Sequence, residues 1–171
     1  MSRTDVFDLG RLRLTAGEGR RLDLEVALAP LEFSGERYEV VPAVVGVRVD
    51  LSKMTAGGYS LRLRFEAGVH GPCMRCLKDA EPVTAVDSRE VDQPNGGDEL
   101  DSPYVTDEQL DLQQWANDAF VLALPAQVVC RSDCAGLCPT CGIDLNEAGP
   151  EHVHESGPDP RWSALDALKF E

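Results

Sequence analysis

Apolar and charged residues alternate through the first half of the chain, which is the pattern of half-buried strands. In RLDLEVAL (21–28), Leu22, Leu24, Val26 and Leu28 fall on one face. YEVVPAVVGVRVDL (38–51) is rich in valine and reads as one strand, with Pro42 marking an edge or a bulge. YSLRLRFEAGV (59–69) follows a turn at Ala56-Gly57-Gly58 and sets Leu61, Leu63 and Phe65 opposite Arg62, Arg64 and Glu66. Residues 81–91 form a further strand candidate. Amphipathic strands in this succession predict an antiparallel sheet, a partial or closed barrel.

The period then changes. DQPNGGDELDSP (92–103) is polar and carries Gly and Pro, which predicts a flexible loop. Beyond it, Leu112, Trp115, Ala116, Ala119, Phe120 and Ala123 share one helical face. Asp111 with Gln114 fits a capping box, and Pro125 stops the helix. Trp115 and Phe120 read as core anchors. The segment NEAGPEHVHESGPDP (146–160) is polar and predicts a mobile tail. RWSALDALKF (161–170) places Trp162, Leu165 and Leu168 at helical spacing, as a short helix docking back would. The expected class is α+β: mainly antiparallel β-sheet or partial barrel, one long helix, and a zinc-knuckle-like C-terminal cysteine segment. Residues 1–146 are expected to form a single domain, and 147–171 an acidic flexible tail.

Charge divides the chain. Residues 1–78 hold 12 Lys and Arg against 10 Asp and Glu, whereas residues 79–171 hold 4 against 20, and the whole carries −14. A weakly basic face and an acidic one are expected. The acidic half suits a basic partner, and the total opposes binding to a polyanion except through a localised basic face.

Six cysteines carry the candidate chemistry. Cys73 and Cys76 form one C-x-x-C pair, and Cys130, Cys134, Cys138 and Cys141 lie within twelve residues. The start of the chain has no apolar signal segment and no stretch approaches a membrane span, so a cytoplasmic protein with reduced thiols is expected. That favours a metal over disulfides. Tetrahedral zinc needs four such ligands. A compact set would use Cys130, Cys134, Cys138 and Cys141. Two others would join Cys73 and Cys76 to Cys138 and Cys141, or to Cys130 and Cys134. Sets spanning both groups are favoured, because the first pair otherwise lacks a role. One structural Zn2+ is expected, with two thiols to spare. Cys138-Pro139-Thr140-Cys141 superficially matches a redox motif, but Gly142 and Asp144-Leu145-Asn146 follow as a knuckle turn rather than a helix start. His70, just before the first C-x-x-C, could serve as a ligand but reads rather as a surface or supporting group, and His152 and His154, in the polar tail, read as surface groups in preference to ligands. No nucleotide-binding glycine motif occurs, and nothing points to an enzyme or a small-molecule substrate.

At CMRCL, LDLQQWANDAFVLALP, VCRSDCAGLCPTCGIDLN and DPRWSALDAL the chain closely resembles the YceD family, which is associated with accumulation of large-subunit ribosomal RNA. The resemblance covers most of residues 10–170, with its motifs mainly after residue 72. It implies a bacterial cytosolic ribosome biogenesis factor for rRNA processing or stability, without a known catalytic activity. The residues matching by motif are Cys73, Arg75, Cys76, Pro125, Cys130, Cys134, Cys138 and Cys141, with Asp159, Pro160 and Arg161 in the tail. Two mechanisms follow. Arg62, Arg64 and Arg75 would meet the phosphates of large-subunit rRNA or a pre-ribosomal particle, Arg75 being held rigidly by its knuckle. Alternatively, the acidic half would escort a basic ribosomal protein or a processing nuclease. A thiol redox sensor is the remaining reading.

Overall fold

The computed structural model describes residues 3–154 apart from Asn95, Asp98, Glu99 and Pro150. The strand pattern of the sequence is realised in one seven-stranded antiparallel sheet. Its members are β2 (Gly19–Ala27), β3 (Leu31–Phe33), β4 (Glu36–Val41), β5 (Val44–Lys53), β6 (Tyr59–Pro72), β7 (Asp79–Ala80) and β8 (Val83–Asp92). The path runs β2-β5-β6-β4-β3, with β7 and β8 on the other side of β6. β6 is the spine. It pairs with β5 from Tyr59 to Arg64, with β8 from Tyr59 to Gly68, with β4 from Gly68 to His70, and with β7 at Gly71 and Pro72.

Two expectations are corrected. The sheet is open: among the described residues β2 does not pair with β8, so no barrel closes. The 38–51 run is two strands, because the chain turns at Pro42 and Ala43, where proline has no amide for a ladder. β4 then borders the far half of β6 while β5 borders the near half. A small sheet escaped the pattern: β1 (Val6–Asp8), β10 (Gln109–Asp111) and β9 (Val105–Thr106), in that order, each too short for a period to show. A 3-10 turn, Leu9–Leu12, follows β1.

α1 (Leu112–Ala123) covers the apolar face of the large sheet. The Asp111 carboxylate caps it by accepting from the Gln114 amide at 2.8 Å. The predicted stripe faces inward, with Trp115 and Phe120 each 1% exposed. Phe120 meets Phe65 at 6.3 Å between ring centroids, and Trp115 Nε1 donates to Ser88 Oγ at 3.0 Å. Asn117 and Gln113 fix the helix along the end of β2 through the Ala29 amide and the Ala27 carbonyl. α1 thus ends beside the sheet and returns the chain toward the tip of the β6–β7 hairpin. No helix among the described residues is long and apolar enough to cross a membrane. The expected docking helix at 161–170 lies outside the described residues.

Candidate metal centre

Cys73 and Cys76 sit in the turn joining β6 to β7. The Cys73 amide donates to the Lys78 carbonyl at 2.7 Å and the Leu77 amide to the Cys73 carbonyl at 2.9 Å, folding the C-x-x-C into a knuckle. Beyond α1, the Met74 amide donates to the Val128 carbonyl at 2.8 Å, seating the returning chain on that knuckle. Cys130 and Cys134 arrive on a turn closed from the Cys134 amide to the Arg131 carbonyl. The next step needs glycine. Gly136 has φ +78°, and a Cβ there would stand 3.1 Å from the Arg75 carbonyl oxygen, the same oxygen that accepts from the Leu137 amide.

The result is a four-thiol group, Cys73, Cys76, Cys130 and Cys134, with sulfurs all within 4.8 Å of one another. Cys73 and Cys134 sulfurs are 3.9 Å apart, and those of Cys76 and Cys130 are 3.7 Å apart. A zinc tetrahedron with bonds of about 2.3 Å has sulfur edges of about 3.8 Å. The donor set therefore fits a tetrahedral ion, and of the three ligand sets left open by spacing this is the one assembled. The compact set is not. Cys73, Cys76 and Cys134 are buried, as a closed structural site requires.

Electrostatics agree. Burial pushes the Cys73 thiol up, but the amides of Cys76, Arg75 and Cys130 and the Cys76 side chain outweigh it and bring it down to about 6. Burial, with the neighbouring Cys76, Cys134 and Cys73 sulfurs, drives Cys130 up to about 12. Four thiols around one point cannot all ionise without a cation between them; a divalent ion removes that repulsion and releases their protons.

A supporting layer holds the ligands. Asn146 lies in α2 (Leu145–Ala148), capped by Asp144. Its Nδ2 donates to Cys134 Sγ at 3.6 Å, and its Oδ1 accepts from the Ala135 amide at 2.8 Å and from Arg131 Nη2 at 2.8 Å. Lys78 bridges to Asp144 at 2.7 Å and also to Glu147. The Lys78 ammonium, with the Asn146 amide, holds the Asp144 carboxyl down to about 2. The Asp144-x-Asn146 signal stood in the sequence directly after the last knuckle, where it reads as turn chemistry alone.

The remaining two thiols also lie together. Cys138 and Cys141 form a second knuckle closed by Cys138 N–H to Ile143 O and Gly142 N–H to Cys138 O, both 2.8 Å. His152 and His154, expected as surface groups, bring their Nε2 atoms to Cys141 Sγ at 3.4 and 3.3 Å. The His152 ring, then the amides of Cys141 and Thr140, lower the Cys138 thiol to about 6. His70 is exposed on β6 and belongs to neither group.

The arginines part company. Arg62 holds Asp87 through Nε at 2.7 Å and Nη2 at 2.5 Å, and Arg64 pairs with Asp50, which also takes Arg21 at 2.6 Å. Among the described residues Arg75 pairs with no carboxylate: its Nε donates to Gln127 Oε1 at 3.0 Å and its Nη1 to the Cys134 carbonyl at 3.1 Å. Its charge stands beside Cys134, where it would offset the negative charge of four thiolates around a bound ion.

Fold and site together define an antiparallel-sheet protein whose C-terminal cysteine segment is fastened to the sheet by a thiol centre able to hold a metal. The family model for large ribosomal RNA subunit accumulation protein YceD matches residues 61–169, and the chain belongs to that family. The matched span contains β6 from Leu61 onward, α1 and all six cysteines. An uncharacterized protein of Mycobacterium tuberculosis (strain ATCC 25618 / H37Rv) is 41% identical over 103 residues, covering 56% of this chain and 48% of the relative. An uncharacterized protein of Mycobacterium leprae (strain TN) is 44% identical over 62 residues, covering 36% of this chain and 28% of the relative. The chain thus spans about half or less of the length of these curated relatives. No solved structure matches it.

Proposed function

We propose that the chain is a non-enzymatic, cytoplasmic factor for large-subunit rRNA accumulation that works by docking a basic protein of the pre-ribosomal particle, with one structural Zn2+ in the four-thiol centre. A groove of about 460 Å³ between the ends of β5, β6 and β8 and the 101–108 turn carries this reading: among the described residues Asp92, Asp101, Asp107 and Glu108 line it against one ammonium, that of Lys53. Lys53 is itself paired with Glu108 at 3.3 Å. Such a groove favours Lys- and Arg-rich segments and repels phosphates.

Direct rRNA binding through the sheet face has weaker support. Arg62 and Arg64 are neutralised by Asp87 and Asp50, and Arg48 by Asp23 at 3.0 Å. The larger groove on that face, about 710 Å³, sets Asp23, Glu66 and Asp87 beside Arg48 and Arg64, so the acids outnumber the bases. Each of these three guanidinia would have to leave a carboxylate before meeting a phosphate.

The test is affinity capture of the tagged full chain from its native cytosol, with and without nuclease. A basic large-subunit protein that survives nuclease, and that is lost with Asp101→Lys/Asp107→Lys, is the expected result. Capture of rRNA alone, unaffected by that charge reversal but lost in Arg62→Ala/Arg64→Ala, overturns it.

A further inference from the structure

Cys138, Cys141, His152 and His154 each bring one ligand atom to within 4.8 Å of the other three. His152 Nε2 and His154 Nε2 are 3.0 Å apart, and Cys141 Sγ stands 3.4 and 3.3 Å from them. Bonds of about 2.3 Å to sulfur and 2.0–2.1 Å to nitrogen at tetrahedral angles give edges of about 3.6 Å for S···N and 3.3–3.4 Å for N···N. The three separations fall within a few tenths of an ångström of those edges. The rings meet edge to face, at 87° with centroids 4.7 Å apart, so their nitrogens converge without stacking. One N–H can satisfy a pair of facing imidazole nitrogens. Two nitrogens and a sulfur around one point are gathered more naturally by a cation.

The backbone builds the site with the device used at the first centre. The Cys138–Cys141 turn directs the Thr140 and Cys141 amides at the Cys138 sulfur, as the Cys73–Cys76 turn directs the Arg75 and Cys76 amides at Cys73. α2 and the turn at Gly149 (φ +74°) then swing the chain back. His152 and His154 alternate with Val153, so both rings share a side and Val153 points outward, 81% exposed. Among the described residues no apolar side chain of 152–154 therefore anchors this stretch, and the two imidazoles at Cys141 are what it offers the knuckle.

We propose that the chain holds two metal ions rather than one, and that Cys138, Cys141, His152 and His154 form the second site, taking a borderline divalent cation such as Zn2+ through two thiolates and two neutral imidazoles. Binding displaces the two thiol protons to solvent. The sites differ in access. Three of the four sulfurs in the first are buried, whereas Cys141 and His154 are exposed, so the second ion exchanges faster. The inference concerns metal chemistry alone and is independent of the partner proposed above.

The experiment uses the full chain, stripped of metal under reducing conditions and reloaded with Zn2+, and reads bound zinc by native mass spectrometry. Two ions per chain are expected, falling to one in His152→Ala/His154→Ala and returning to two in His152→Cys/His154→Cys. A chromophoric chelator should remove the ions in two phases, with the fast phase missing from the alanine variant. Both histidines lie outside the core, and far-ultraviolet circular dichroism confirms that the variants remain folded. One ion in the wild type overturns the proposal. So does a second ion that the alanine variant retains, because that ion is then held elsewhere.

Discussion

The sheet and the cysteine segment that follows α1 are held by opposite means. The sheet buries Val26, Val45, Val49, Leu61, Leu63 and Val69 beneath Trp115 and Phe120, a continuous apolar core. From residue 126 to 154, the buried positions among the described residues are Val128, Cys134, Gly136 and Cys138. One is a hydrophobic anchor, one a backbone crossing, and two are thiols. Burial can hold the first region, whereas the second buries little apolar surface around its thiols, so a metal bound there would supply folding energy. A single chain thus carries two codes: a period of apolar residues for the sheet and a spacing of ligands for the segment.

That contrast can be broken in graded ways. The largest effect is expected from Cys134→Ser or from a strong chelator, since a structural zinc in finger peptides binds with about 10–16 kcal/mol at neutral pH. Trypsin should then cut after Arg131 while β6 stays protected; an Arg131 bond equally resistant with and without metal would remove the metal from the account. Trp115→Ala attacks the other region. It should cost about 3–5 kcal/mol of global stability, read as a lower urea midpoint, with zinc affinity in the folded protein unchanged. Asn146→Ala should weaken metal binding by about 10- to 100-fold in chelator competition, because an amide that orients Cys134 and its turn is lost. An unchanged affinity would mean the Asn146 contacts only decorate the turn.

The smallest effect belongs to the sheet's charged face. Arg21, and then Arg64, depress the Asp50 carboxyl below its ordinary value of 3.8 against an opposing push from burial. A depressed carboxyl stabilises the fold above that ordinary value and loses the contribution as pH falls through the lower folded value. Asp50→Asn should therefore cost no more than about 1 kcal/mol at neutral pH and converge with the wild type in acid. A gap that widens in acid would contradict the assignment.

The strongly periodic elements were legible from residues alone. Leu61, Leu63 and Phe65 mark β6, and Asp111, Trp115 and Phe120 mark α1 with its cap. Alternation cannot say where a strand changes partner, which is why the valines around Pro42 read as one strand and the open sheet as a possible barrel. For the site, spacing nominated all six cysteines but left three ligand sets, because choosing among them depends on where α1 returns the chain. The second group was harder still. His152 and His154 sit in a polar, glycine-bearing stretch, and only the turn after α2 carries them to Cys141. Arg62 and Arg64 were correctly placed on the outer face, yet cross-strand register, invisible in one dimension, set Asp87 and Asp50 beside them.

The central claim is that a metal at Cys73, Cys76, Cys130 and Cys134 fastens an otherwise coreless segment to a self-sufficient sheet. Amide hydrogen exchange of the full chain, metal-loaded and then chelated under reducing conditions, tests it most directly. Chelation should release the amides of Met74 and Leu137, which tie the segment to the first knuckle, and those of Cys134 and Leu145, which close turns within it, while Leu63 and Val86 in the sheet keep their protection. If those four amides stay protected without metal, or if the sheet opens with them, the two regions are not held by different means and the claim fails.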